Sequence, residues 1–215
     1  MIGRDNEIQA LRSAMDSDKS EFVALYGRRR VGKTFLVSEF FNGKFAFHHA
    51  GLEGASRRET LASFREALRR QGRPSCPRLT SWICAFSELE SLLEGLPAGR
   101  KVVFLDELPW YDTPKSGFLC AFESFWNGWA SLRKDILLVI CGSATTWIVD
   151  KVIRNRGGLH NRVTRQLLIT PFTLRECEEY AHYKHLDFDR KQIAECYMAF
   201  GGVAARLLRF DIAPA

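Results

Sequence analysis

The chain has 215 residues, 46% of them apolar and 26% charged, and its 31 Lys and Arg outnumber 25 Asp and Glu to give a net charge of +6. That size suits one large domain, or one with a small appendage, which buries about 70% of its unfolded surface. The composition excludes a disordered tail, a coiled coil and a disulfide-stapled miniprotein, and no apolar run reaches the ~18 residues of a membrane span.

In chain order, charges at Arg4, Asp5 and Glu7 stand where a secretory signal needs apolar residues, so the cytoplasm is the expected location. The first apolar run, 22–26, is short, β-prone and ends in Gly27, which predicts a buried strand. A helix is predicted from Gly32 to Phe41, stopped by Asn42-Gly43. Phe45 to Ala50 read as a second strand, which puts His48 and His49 on opposite faces, where they cannot share a metal. Ser56-Arg57-Arg58-Glu59 is a capping box, and it opens a helix to about Gln71. Trp82, Ile83, Phe86, Leu89, Leu92 and Leu93 form a helical stripe that ends before Gly95.

Lys101 to Asp106 holds four consecutive apolar residues and closes on two acids, the mark of a strand buried on both faces in a parallel sheet. Thr113-Pro114 reads as a cap and first turn. Phe118, Phe122, Phe125, Trp129 and Leu132 then recur at helical spacing, as a core face rather than a base-stacking platform. Ile136 to Cys141 and Leu167 to Ile169 are the last predicted strands. A second capping box, Thr173 to Glu176, follows Pro171; Asp189 starts another helix, Gly201-Gly202 breaks it, and a third helical piece leads to Ala215. Alternating strands and helices predict an α/β core with a central parallel sheet over residues 1–170, and a small helical lid over 171–215. The six cysteines form no C-x-x-C pair, and Cys84, Cys120, Cys141 and Cys177 lie in apolar or helical stretches, so buried free thiols are expected.

The chemistry concentrates at Gly27-Arg28-Arg29-Arg30-Val31-Gly32-Lys33-Thr34, which fits G-x-x-x-x-G-K-[ST] at every position, between a strand and a helix. Its glycines let successive amides turn inward onto phosphate oxygens, and the following helix adds its positive end. Lys33 is a point charge for the β- and γ-phosphates, Thr34 offers a hydroxyl to Mg²⁺, and Phe35 closes the nucleotide-binding set. Asp106 ends a strand at the carboxyl edge of the sheet, where it can hold Mg²⁺ through water. Glu107, by strand alternation, points elsewhere; it is the candidate base for the water that attacks the γ-phosphate. Ser143 has two readings: it senses the γ-phosphate or orients its water, or a hydroxyl here, Ser143 or Thr145, caps the next helix.

Arg154, Arg156, Arg162 and Arg165 cluster before the last strand, either as a solvated loop or with one member reaching a neighbouring subunit's γ-phosphate. Arg28 to Arg30 fill variable positions of the loop and point outward. They and Arg57, Arg58, Arg65, Arg69 and Arg70 offer a surface to nucleic acid or an acidic partner, although interleaved Glu59 and Glu66 favour a solvated face. The excess of arginine permits a nucleic-acid partner without requiring one.

Together, Ile2-Gly3-Arg4-x-x-Glu7, the loop 27–34, Phe104-Leu-Asp-Glu-Leu-Pro-Trp110 and Phe125-Trp-Asn127 resemble the archaeal-type P-loop ATPases of the STAND branch of the AAA+ class. The resemblance spans nearly the whole chain. It implies the strand order 5-1-4-3-2, a helical lid, an ATP-dependent switch or slow hydrolase, and an adenine near Ile2, Gly3 and Arg4. Asn161-Arg162-x-Thr164 resembles the family's Gly-Arg-x-Thr segment and makes Arg162 the γ-phosphate arginine. Gly201 to Arg206 resembles Gly-Gly-x-Pro-x-Tyr, with Ala204 and Arg206 in place of the proline and tyrosine. Members usually continue into a winged-helix segment and a further domain, so the resemblance also implies a lid cut short at Ala215. Self-association or a protein partner belongs to the same expectation. The leading function is therefore Mg²⁺-dependent ATP hydrolysis, and the alternative is a non-hydrolysing, nucleotide-gated binding module, one of whose partners could be nucleic acid. A GTPase is disfavoured by the lack of N-K-x-D; a kinase is weighed against by the adjacent acids at 106 and 107.

Overall fold

The computed structural model describes residues 1–203. Five strands, Glu21–Tyr26 (β1), Phe47–Ala50 (β2), Lys101–Asp106 (β3), Ile136–Gly142 (β4) and Arg165–Leu168 (β5), pair in parallel in the order β2-β3-β4-β1-β5. From the other edge this is the expected 5-1-4-3-2. The strands β1, β3 and β4 are buried almost throughout, as continuous apolar runs in a parallel sheet must be.

Alternate residues of those strands feed two cores. Phe22, Ala24, Val103, Leu105, Leu138 and Ile140 face one side, against Arg57–Arg70 (α3), Trp82–Glu94 (α4), Phe118–Gly128 (α5) and the start of the segment after β4. Val23, Leu25, Val102, Phe104, Leu137 and Val139 face the other, against Asp5–Met15 (α1) and Lys33–Phe40 (α2). Period-2 side-chain alternation thus builds a three-layer sandwich. Phe118, Phe122 and Phe125 are buried and pack against Phe86 and Trp82, so the aromatic stripe is core.

The structure corrects several details. Helix α1 has no counterpart among the expected elements; its Leu11 and Ala14 are fully buried. Thr113-Pro114 does not cap α5, whose N-cap is Gly117 in the left-handed region. The helix ends at Gly128, and Leu132 lies in a separate turn, 77% exposed, outside the aromatic stripe. Cys84 and Cys120 occupy outward positions of α4 and α5 and are exposed, whereas Cys76, Cys141 and Cys177 are buried; all six are free thiols. A short helix, Thr145–Ile148 (α6), continues into a wider turn at Val149–Ile153 that the sequence did not announce.

Beyond the sheet, Leu174–Tyr183 (α7) and Arg190–Phe200 (α8) start at Thr173 and Asp189, each with both bonds of a capping box. Phe172, Cys177, Ala181 and Ile193 form a small core of their own. Gly201 ends α8 in the left-handed conformation, and the Gly202 carbonyl accepts from the Phe172 amide at 2.8 Å. The third helical piece, with Ala204 and Arg206, lies outside the described residues. Among the described residues no helix is long and apolar enough to cross a membrane.

Candidate functional site

The loop between β1 and α2 is held at the carboxyl edge of the sheet because β1 is flanked by β4 and β5 and its last residue, Tyr26, feeds directly into it. Gly27 (φ +144°) and Gly32 (φ +91°) have backbone angles that side chains avoid, and a Cβ on Gly27 would collide with the Ile169 carbonyl. Lys33 is 5% exposed; its Nζ donates to the carbonyls of Gly27 (2.9 Å) and Arg28 (2.8 Å), so the ammonium sits inside the ring of the loop. The Thr34 hydroxyl donates to Asp106 Oδ2 at 2.7 Å. Asp106 Oδ1 accepts from the Glu107 amide at 2.8 Å, so each oxygen of this buried carboxylate accepts one hydrogen bond. The neighbouring Cys141 thiol is pushed well above its ordinary range by burial and then by the Asp106 charge, so it stays neutral.

Glu107 does not obey strand alternation. Its backbone is in the left-handed region (φ +46°, ψ +50°), an uncommon and costly place for a residue with a Cβ. That kink brings its side chain into the open cavity in front of the loop, which it lines with Arg28, Arg29, Arg30, Glu53 and Ser143. The cavity volume, about 740 Å³, lies within the roughly 300–1,000 Å³ range of small-molecule sites. Glu107 Oε2 accepts from both the amide (3.0 Å) and the hydroxyl (2.9 Å) of Ser143. Ser143 therefore caps no helix: the N-cap of α6 is Ala144, without a side-chain bond. Its position at the end of β4 sets it beside the end of β3, because the two strands are neighbours.

The first residues reach the loop from outside. Arg4 is buried; its guanidinium donates to the carbonyls of Thr170 (2.7 Å) and Val31 (3.4 Å) and lies 5.2 Å from the Phe172 ring centre. Gly3 packs against the Glu176 side chain of α7, so Ile2, Gly3 and Arg4 lie where the loop, the end of the sheet and α7 converge. Phe35, on the first turn of α2, is 61% exposed. Val31 is buried, while Arg28, Arg29 and Arg30 are exposed along the cavity. Arg29 pairs with Glu53, whose hydrogen bond and then charge raise the guanidinium pKa further.

Arg162 is not brought to this cavity. Two residues on, Thr164 bonds with the backbone of Phe22, at the start of β1 and thus at the opposite strand end. Glu53 and Val203 line the cavity and Thr170 anchors Arg4, yet none was singled out from sequence. A lone glutamate in a loop and a valine after two glycines carry no signal of their own.

A glycine-bounded loop around a buried lysine, with a threonine–aspartate contact that reaches across β4 to the end of β3, places the protein among the P-loop nucleotide-binding α/β folds. More particularly, residues 1–210 match the family of ATPase domains found predominantly in Archaea, and the chain belongs to that family. An uncharacterised protein of Methanocaldococcus jannaschii is 24% identical over 179 residues, 83% of this chain and 38% of that protein. The chain thus spans well under half the length of that relative. An uncharacterised ATP-binding protein of the same organism is 40% identical over 43 residues, 20% of this chain and 73% of that protein. Among solved structures, a Walker-type ATPase of Pyrococcus abyssi shares 19% identity at a TM-score of 0.69, covering 99% of this chain and 67% of its own. A STAND protein of Pyrococcus horikoshii with a tetratricopeptide-repeat sensor (17%, TM-score 0.55) covers 96% and 29%, and Cdc6p of Pyrobaculum aerophilum (16%, TM-score 0.55) covers 84% and 48%. These structures share the fold.

Proposed function

We propose that the chain binds ATP with Mg²⁺ at the loop 27–34 and hydrolyses its β–γ bond as the nucleotide switch of a larger assembly. The observation that carries this reading is the left-handed turn that sets Glu107 in the cavity directly after the carboxylate bonded to Thr34. Lys33 exchanges its bonds to the Gly27 and Arg28 carbonyls for phosphate oxygens, while the inward amides of the loop cradle the β-phosphate. Thr34 and Asp106 supply hard oxygen donors 2.7 Å apart, the donor type Mg²⁺ requires, and would hold the ion directly and through water. The metal's contribution is neutralisation of charge between the β- and γ-phosphates.

Glu107 accepts the proton of a water as its oxygen bonds to the γ-phosphorus; the bond to the β–γ bridging oxygen breaks, and ADP leaves. Ser143 holds the carboxylate that does this. Ile2, Gly3 and Arg4 border the adenine, between the loop and α7. Arg162, facing away from its own cavity, serves the site of a neighbouring copy. The division into a core of residues 1–170 and a lid over 171–215 follows from the same reading, with the lid answering to the nucleotide through the Arg4–Phe172 contact.

The test pairs two variants. Glu107→Gln should keep ATP affinity and lose about 10²–10⁴-fold in turnover, the usual contribution of a general base; Lys33→Ala should lose affinity itself. Unchanged phosphate release by Glu107→Gln with ATP still bound would instead make the chain a nucleotide-gated module without hydrolysis.

A further inference from the structure

A second hollow lies between α3 and the turn that follows it. Its volume is about 500 Å³, and Arg57, Arg58, Arg65, Arg78, Leu61 and Thr80 contribute to its walls. Glu66, its one acid among the described residues, is already engaged by Arg65 (3.3 Å) and Arg69 (3.2 Å), and Arg65 Nε is spent on the carbonyls of Pro77 (2.8 Å) and Cys76 (3.1 Å). The side chains of Arg57, Arg58 and Arg78 have no hydrogen bond or ion pair among the described residues. Nor does helix stability account for them. Arg57 and Arg58 open α3, where the helix dipole disfavours cations, and Glu59 in that turn is committed to the Ser56 amide (2.8 Å) and hydroxyl (2.6 Å). Three guanidiniums therefore stand unneutralised in one hollow.

We propose that this hollow binds the phosphodiester backbone of a nucleic-acid strand. A guanidinium presents a planar fork that takes two phosphate oxygens at once, and all four cations here are arginines. The side chains are exposed and would cover little of a free small anion, which needs most of its surface enclosed to bind well. A polymer gains by adding weak contacts. Arg69 and Arg70 continue the basic surface along a helix of 14 residues, about 21 Å at 1.5 Å per residue. A strand whose charges sit on its own backbone reaches several such cations without ordering long side chains, which an acidic peptide has to do. Among the described residues no aromatic ring lines the hollow, so contacts fall on phosphates and carry little base preference. This site is separate from the nucleotide cavity and does not rest on the hydrolase reading.

The test uses the full chain without nucleotide and a labelled thymidine oligonucleotide, followed by fluorescence anisotropy between about 50 and 200 mM salt. The triple substitution Arg57→Gln, Arg58→Gln, Arg78→Gln should weaken binding about tenfold or more. It should also flatten the slope of log affinity against log salt by about 2, roughly 0.7 for each of three contacts. The corresponding triple lysine variant, which keeps the charge, should keep most of that slope. The proposal is overturned if the unaltered chain leaves anisotropy flat, if the glutamine variant keeps both affinity and slope, or if polyglutamate displaces the oligonucleotide at equal charge concentration.

Discussion

Tyr111 donates its phenol proton to the His49 carbonyl at 2.9 Å, so its oxygen is left to accept, and His49 Nδ1, 2.7 Å away, must carry a proton toward it. Nε2 then accepts from the Ser63 hydroxyl at 3.1 Å. The site is only 6% exposed, and burial holds the His49 pKa at about 4, with the charges of His48 and Arg70 acting in the same direction. The unfolded chain takes up this proton near 6.5. Between those values the unfolded state binds more protons than the folded one, so stability falls as pH falls and is unaffected above about 7. From pH 7 to pH 5 the loss from this group is about 2 kcal/mol, at 1.36 kcal/mol for each of about 1.5 pH units. Asp135, held low by Arg133 and Lys101, loses its contribution only at more acidic pH and does not overlap this window. Urea denaturation of His49→Gln at both pH values should show most of that difference gone, whatever the variant's stability at pH 7; an unaltered slope would refute the assignment. The sequence did place His48 and His49 on opposite faces, and they are: His48 stacks on Phe104, His49 bonds Tyr111. Glu107 shows the opposite case. Alternation along β3 turns it away from Asp106, and only the left-handed turn, a feature no residue type there announces, brings it into the cavity.

At the scale of elements, legibility followed the strength of local signals. Capping boxes at Ser56 and Thr173 and the cap at Asp189 each formed as written, because two short-range bonds fix such a terminus without help from tertiary structure. Runs of apolar residues gave β1, β3 and β4 because a strand buried on both faces needs no alternation. Helix α1 escaped because nothing caps it: the N-cap is Arg4, whose guanidinium has only donors and no acceptor for the first helical amides. Thr113-Pro114 misled for the converse reason, a locally good start overruled by Gly117 and the burial of Phe118. An uncapped helix of 11 residues is marginal by itself, so α1 owes its existence to packing. Leu11→Ala, at a fully buried position against the sheet, should cost about 2–5 kcal/mol in urea denaturation with an unchanged m-value. A loss under about 0.5 kcal/mol, typical of surface substitutions, would show that α1 is not part of the core.

For the whole molecule, the parallel sheet sets two ends apart. The loop 27–34, Asp106, Glu107 and Ser143 gather at the carboxyl ends of β1, β3 and β4, whereas Arg162 precedes Thr164, which bonds Phe22 at the amino end of β1. From Phe22 to Gly27 the strand spans about 16 Å at 3.3 Å per residue, beyond the reach of an arginine side chain. If Arg162 stabilises charge on a γ-phosphate, it does so on another copy, and turnover per chain must then depend on concentration. Specific activity of the unaltered chain should rise with protein concentration and level off as copies associate. Arg162→Ala should bind ATP normally yet stay at the dilute rate throughout, a deficit of about 10³-fold or more at saturation if the arginine acts as a finger in trans. Mixing separates this from a folding defect: Arg162→Ala carries an intact cavity and Glu107→Gln an intact arginine, so equal parts of the two inactive chains should recover part of the activity. Mixtures as inactive as their components, or a rate independent of concentration, would confine the chemistry to one chain and leave Arg162 a surface residue.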